Sequence, residues 1–343
     1  MSRFQGVSES IHASGPLVLI HGGAWAIPDA ACDDHRDGLQ AAVHTAAEQL
    51  ASPHAAVDTA TEVVRTLEGH GAFDAGCGAM LNRNGRVQLD AGLMDGATGH
   101  YGGVMAVERI AHPICTARAL LHPNTAQRDT SDDHGQARLL AGRGAEAFAQ
   151  HIGQPLVEND TLVCAREHER FAQYTAKQAM GSTVDSSASF LPPEVPSDTV
   201  GAVVRTANGH LCAATSTGGT PFKWPGRVGD SPLPGAGYYA NETAAACATG
   251  WGEAIAGHSL CVRAVDAVTH GASPQAAAER LLMSMQARYT HPNGEGARAG
   301  LLVVAADGPA AYAFTTPRMA RALCTPTAQA TAVRTDASLQ VSS

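Results

Sequence analysis

Ser197–Asp230 reads S-D-T-V-G-A-V-V-R-T-A-N-G-H-L-C-A-A-T-S-T-G-G-T-P-F-K-W-P-G-R-V-G-D. Two largely apolar runs, Val200–Thr206 and Leu211–Ser216, flank Ala207-Asn208-Gly209-His210. Asn-Gly between such runs signals a tight hairpin. Upstream, Gly181–Pro196 is a run of Ser, Pro and small residues with no apolar period, which reads as an exposed connecting segment. The change from one to the other falls at Asp198-Thr199. A threonine opening a core strand has a plain explanation, because Thr favours strands. A sharper one is that the Asp198–Thr199 bond is cut, leaving Thr199 with a free α-amine beside its own hydroxyl. A terminal amine, of pKa about 7.7–8.0, can take the proton from that hydroxyl without any imidazole. Because base and nucleophile share one residue, proximity is built in.

Three further groups sit near this point in the reading. The hairpin folds Thr215-Ser216-Thr217 back towards Thr199, although the same residues suit a polar strand edge. In Gly226-Arg227-Val228-Gly229-Asp230 a cation and an anion stand three residues apart between glycines. As a surface ion pair they would contribute little. As a clamp, the guanidinium grips a carboxylate with two parallel hydrogen bonds and the aspartate takes an ammonium. That arrangement suits an amino acid whose reactive carbonyl lies on its side chain. Thr249-Gly250 precedes a helical segment, Glu253–Val268, where a threonine usually serves as a cap. The same position can offer a hydroxyl and a backbone N–H to a developing oxyanion.

The chain resembles the threonine-type N-terminal-nucleophile hydrolases of the plant-type asparaginase and isoaspartyl peptidase group. The resemblance spans Leu17 to Met319 in ordered blocks. They are I-H-G-G-A-W (Ile20–Trp25), F-D-A-G-C-G-A (Phe73–Ala79), L-D-A-G-L-M-D-G (Leu89–Gly96), D-T-V-G-A-V (Asp198–Val203), T-S-T-G-G (Thr215–Gly219), P-G-R-V-G-D-S-P-L-P-G-A-G (Pro225–Gly237) and T-G-W-G-E (Thr249–Glu253). It implies one α+β domain over 1–343, a four-layer αββα sandwich with two mainly antiparallel sheets. It also implies self-cleavage into an α subunit, 1–198, ending in a disordered linker at about 181–198, and a β subunit, 199–343. Thr199 would be nucleophile and amine base, Thr217 would orient it, and Thr249 and Gly250 would form the oxyanion hole. Asp198 would be the residue before the cut, and Arg227, Asp230, Gly252 and Asp74 would hold substrate.

The implied activity is hydrolysis of β-aspartyl amides, either isoaspartyl dipeptides or L-asparagine. No catalytic cofactor is required. A structural sodium ion would bind backbone carbonyls of Leu67, Glu68, His70, Phe73, Ala75 and Cys77, and processed protomers would form a homodimer. Asp198 stands where close relatives often carry Gly, and Asp-Thr instead resembles the glycosylasparaginase cleavage site. Asp74 stands where the family usually has Asn, and Trp251 replaces a small residue. A glycosylasparaginase-like or other β-aspartyl amide hydrolase is therefore an alternative, and a non-catalytic ligand-binding family member is another.

Composition agrees with a globular protein: 343 residues, 44% hydrophobic and 16% charged, with net charge −9. Without a basic tract, nucleic acid and anionic membranes are disfavoured partners. No apolar run approaches the ~20 residues that span a bilayer. The first sixteen residues lack the apolar core of a secretory signal, read as a disordered leader, and make the cytoplasm the expected compartment. Eight cysteines without a C-x-x-C pair then read as reduced thiols. Neither G-x-G-x-x-G nor G-x-x-x-x-G-K-[ST] occurs, so dinucleotide and phosphate binders are disfavoured. Sixteen histidines show no H-E-x-x-H pairing, and His21 reads as a loop histidine. Leu17–Ile20 reads as a strand, Leu39–Leu50 and Ala56–Leu67 as helices, and Glu68–Gly78 as a glycine-rich loop. Asn84-Gly85 reads as a hairpin, Gly103–Glu108 as a strand, and Pro113–Leu121, Gln136–His151 and Thr161–Met180 as helical. Ala299–Ala305 and Ala310–Phe314 read as strands, and everything from Thr325 as a disordered tail.

Overall fold

The computed structural model describes residues 4–13, 15–51, 55–121, 137–180, 198–291, 294–334 and 336–339. The linker expected at 181–198 lies outside them except for Asp198. Strands β1 (Val7–Ile11), β2 (Leu17–Trp25), β3 (Leu89–Asp95), β4 (Tyr101–Val107) and β5 (Leu139–Ala141) precede Thr199. β6 (Val200–Arg205), β7 (Leu211–Thr217), β8 (Tyr238–Ala240), β9 (Ala244–Gly250), β10 (Ala299–Ala305), β11 (Ala310–Phe314), β12 (Arg318–Thr325) and β13 (Ala328–Ala332) follow it. Helices α1 (Cys32–Leu50), α2 (Ala56–Glu68), α3 (Pro113–Leu121), α4 (Gly142–His151) and α5 (Ala165–Ala179) come first. α6 (Gly252–His258), α7 (Leu260–Thr269) and α8 (Pro274–Arg288) come later.

The strands form an eight-stranded sheet, β13-β12-β2-β6-β7-β3-β4-β5, and a five-stranded sheet, β1-β11-β10-β9-β8. Every pairing is antiparallel except β4 with β5. Strand side chains alternate faces, and the core shows it. In β6, Val200, Ala202 and Val204 pack under α1, α2 and α3. Val203 faces the other way, with Leu19, Ala213, Cys247 and Leu302 between the sheets. In β9, Ala244, Ala246 and Ala248 pack against α7 and α8. Three apolar layers separate four layers of structure, so the fold is an αββα sandwich, as the α+β expectation had it.

The ends of the chain depart from their expected disorder. β1 pairs with β11, and β13 pairs with β12. Their anchor is Arg321, whose side chain is fully buried. It donates to the carbonyls of Met319, Arg334 and Ala337 and lies over the Tyr312 ring, 4.6 Å from its centroid. Glu9 of β1 accepts from the Tyr312 hydroxyl, the Ser338 hydroxyl and the Leu339 N–H. A polar tail looks disordered in sequence because the cation that orders it lies elsewhere in the chain.

Other expectations changed in extent. β2 runs on through His21-Gly22-Gly23 to Trp25 rather than turning. The expected helix from Gln136 begins only at Gly142, after the short β5. Glu253–Val268 breaks at Ser259, which adopts the left-handed φ of 51°. The break lets α7 point its free N–H groups at the Ala236 and Gly235 carbonyls, tying the helix to the loop that follows Asp230. β9 was not expected as a strand because five of its seven residues are Ala or Gly, which have little strand preference; burial on both faces overrides it. α8 was also missed, although Ser273 caps Ala276 N–H and Pro274 occupies the first turn.

Replacing Arg321 with Leu strands several buried carbonyls at once. We expect a loss of about 3 kcal/mol or more in denaturant titration, with the segment after residue 333 becoming the first site of limited proteolysis.

Candidate active site

Register places the threonines. Val200 of β6 lies opposite Ser216 of β7, so Thr199 lies opposite Thr217. Thr199, Gly201 and Val203 share a face, as do Ala213, Thr215 and Thr217, and both faces look towards the second sheet. Thr249 follows Ala245 and Cys247 on the face of β9 that looks back. Thr199 Oγ1 donates to Thr217 Oγ1 at 3.2 Å. Thr217 Oγ1 also accepts the Gly219 N–H at 2.9 Å. The buried Thr249 hydroxyl has no hydrogen-bond partner among the described residues.

Thr199, Thr217, Arg227, Asp230, Gly250 and Gly252 line one cleft, completed by Gly219, Thr220 and Ser231. Arg227 Nε donates to Glu253 Oε1 at 2.9 Å. Asp230 is buried, and its Oδ2 has no partner among the described residues. Burial raises its pKa to about 7 against the pull of Arg227. Gly252 keeps the pair open: a Cβ there would stand 2.9 Å from both Arg227 Nη2 and Asp230 Oδ1. At Gly250 φ is +136°, and a Cβ would strike Ala299 Cα at 2.6 Å.

Asp74 lies beneath Gly218 and outside the cleft wall. Its Oδ1 accepts the Met80 N–H at 2.7 Å, and its carbonyl accepts the Gly218 N–H at 2.8 Å. Burial pushes Asp74 well above the usual carboxylate range and pushes neighbouring Lys223 down. Lys223, overlooked in the sequence, is buried and donates to the Gln88 carbonyl at 2.9 Å.

Two histidines grip the Asp198–Thr199 junction: His21, expected in a loop but lying in β2, and His35, which the sequence did not single out. His21 Nδ1 donates to the Thr199 carbonyl at 2.9 Å. Burial lowers the His21 pKa to about 3, so the ring is neutral. His35 Nε2 stands 2.8 Å from Asp198 Oδ2, both side chains being buried. Burial opposes charge on His35, but Asp198 outweighs it and raises the pKa; on Asp198 burial prevails over His35 and raises that pKa too. Glycines make room for these buried groups. A Cβ at Gly201 would lie 2.3 Å from His21 Nε2, one at Gly23 would lie 2.0 Å from Asp198 Oδ1, and one at Gly218 would lie 2.1 Å from Asp74 Oδ1.

In the glycine-rich loop 69–78 the glycines allow close backbone approach. Gly76 and Gly78 have φ of +52° and +109°. A Cβ at Gly76 would meet the Glu68 carbonyl at 2.3 Å, and one at Gly78 the Gly71 and Phe73 carbonyls at 2.8 and 2.9 Å. The Leu67, Glu68 and His70 carbonyls each accept one backbone N–H, which leaves a second lone pair. Among the described residues no cluster of His, Cys, Asp and Glu suits a metal ion.

The model of the asparaginase family matches residues 14–333. The chain belongs to the asparaginase family. Among its relatives is a plant-type L-asparaginase of Pyrobaculum calidifontis, 36% identical, the match covering 89% of this chain and 95% of that one. The isoaspartyl peptidase of Salmonella typhimurium is also 36% identical, over 89% and 94%. An isoaspartyl peptidase/L-asparaginase of Xenopus laevis is 33% identical, over 89% and 90%. Relatives under both names match over 89% of this chain and at least 90% of their own length. No helix among its described residues is long and apolar enough to cross a membrane.

Gly23→Ala must place a side chain at a left-handed φ of +97° and push Asp198 aside. We expect a stability loss of about 1–3 kcal/mol, seen as a lower urea midpoint at unchanged slope.

Proposed function

We propose that this chain is a self-cleaving threonine hydrolase of β-aspartyl amide bonds, releasing L-aspartate from isoaspartyl dipeptides and L-asparagine. The observation that carries it is the 3.2 Å contact of the Thr199 and Thr217 hydroxyls inside the cleft that also holds Arg227 and Asp230. The relatives' names point to the same chemistry.

In maturation, Thr199 Oγ attacks the Asp198 carbonyl carbon. The C–N bond breaks, the hydroxyl proton ends on the departing amine, and an ester joins Asp198 to Thr199 Oγ. Water then hydrolyses the ester, restoring the hydroxyl and leaving subunits 1–198 and 199–343. In turnover the Thr199 amine takes the Oγ proton as Oγ attacks the β-carbonyl of the substrate. Thr217 orients Oγ. The Thr249 hydroxyl and Gly250 N–H receive the oxyanion, a contribution of about 3–4 kcal/mol per donor in hydrolases where one has been removed. The amine passes its proton to the leaving group, and water releases aspartate.

Arg227 binds the substrate α-carboxylate and Asp230 its α-ammonium, with Gly252 giving room. Asp74 supports the wall from beneath Gly218. Carbonyls of Leu67, Glu68, His70, Phe73, Ala75 and Cys77 would hold a sodium ion, which would fasten the loop that carries Asp74. Trp251 stacks on His291, ring centroids 4.0 Å apart, beside the oxyanion pair. That bulk favours ammonia or an amino acid over a glycan as leaving group. A cytoplasmic homodimer of processed protomers completes the reading.

Intact-mass spectrometry tests the cut. Wild type should resolve into two species divided at 198/199, whereas Thr199→Ala should stay whole and lose at least 1,000-fold in kcat, roughly the scale of losing an activated nucleophile. Uncut wild type that hydrolyses asparagine at the same rate would refute the proposal.

Asp230 sets the pH dependence. As its pKa is raised to about 7, the carboxylate that binds ammonium is lost as pH falls below 7. KM should rise about tenfold per pH unit there, while kcat changes less. A KM flat from pH 7 to 5 would exclude this role.

A further inference from the structure

His35 is held on three sides. Its Nδ1 donates to the Ala31 carbonyl at 2.8 Å, at the start of α1. The Phe73 ring meets it edge-on, centroids 5.3 Å apart at 85°, and Trp25 lies across it at 6.2 Å. With Nδ1 engaged and two aromatic rings against the imidazole, Nε2 points at Asp198 Oδ2, 2.8 Å away. Asp198 is only 2% exposed. Its backbone and carboxylate lie so close to Gly23 that a Cβ there would come within 2.9 Å of Asp198 Cα. Across the next peptide bond, His21 holds the Thr199 carbonyl and Thr217 holds the Thr199 hydroxyl. The bond proposed to break therefore has a fixed acyl side and a fixed nucleophile side.

We infer that His35 is a positioning residue for self-cleavage: by holding the Asp198 side chain against Gly23, it sets the Asp198 carbonyl carbon in reach of Thr199 Oγ. The inference rests on the self-cleavage proposed above. It assigns to the first turn of α1 a task for which composition and motif give no sign, since His35 lies far from the cut in sequence. His35 touches neither reacting atom and acts through Asp198 alone. An acyl side released by loss of the hydrogen bond would sample orientations unsuited to attack, and cleavage rates are steep in such misplacement.

The test is a time course of full-length chain made by cell-free translation, followed on denaturing gels. His35→Leu, which keeps bulk and removes the hydrogen bond, should lengthen the cleavage half-time at least tenfold. His35→Gln, which keeps a donor, should recover part of the rate. His35→Ala should be accelerated by added imidazole. The same substitutions in uncut Thr199→Ala protein report folding separately through the melting curve. Equal half-times for wild type and His35→Leu would overturn the assignment. So would equal slowing by Leu and Gln with no response to imidazole, which marks a packing role only. A wild-type chain that never cleaves would instead refute the parent proposal.

Discussion

The register of one hairpin governs the rest of the molecule. With Val200 opposite Ser216, Thr199 and Thr217 become cross-strand neighbours on the face between the sheets. A slip of one residue would turn both hydroxyls under α1 and α2 and bring Val200 and Val204 into the inter-sheet layer. The slip is resisted by burial: β6 and β7 are buried along their whole length. The apolar core and the position of the hydroxyls thus have one cause. The same parity in β9 aims Thr249 at them from the opposing sheet.

Small residues are what let polar groups into this interior. Gly23, Gly201, Gly218 and Gly252 each stand where a methyl group would overlap Asp198, His21, Asp74 or the Arg227–Asp230 pair. Burying these groups is costly unless partners are supplied. Some partners are present, such as His35 for Asp198 and the Met80 N–H for Asp74. Asp230 Oδ2 and the Thr249 hydroxyl lack one among the described residues, at the two places where a substrate's ammonium and oxyanion are proposed to sit. They are not the only ones: Asp74 Oδ2, Asp198 Oδ1 and His21 Nε2, outside the cleft lining, also lack a partner among the described residues.

Much of this was legible in the sequence, for identifiable reasons. Asn208-Gly209 signalled the hairpin that folds Thr217 back towards Thr199, while the resemblance supplied the pairing of their hydroxyls. The closeness of Arg227 and Asp230 was readable because they are three residues apart. His35 and Lys223 were not, because each acts on residues distant along the chain, nor was the Arg321 clasp, because a lone His, Lys or Arg carries no spacing signal. The αββα layering came from resemblance; composition alone gave mixed α and β. β9 hid behind its alanines, and the terminal strands behind their polarity.

The order of strands has a further consequence for a chain cut at 198/199. β2, from the first piece, lies between β12 and β6 of the second, and β1 of the first piece closes the edge of the sheet formed by β8 to β11 of the second. Neither fragment owns a complete sheet. Severing the backbone would therefore leave two polypeptides laced into one body, unable to part without unravelling both. Once unravelled, they would have to find each other by diffusion before either could refold. A bond broken for chemistry would also convert a reversible fold into one that is assembled only once.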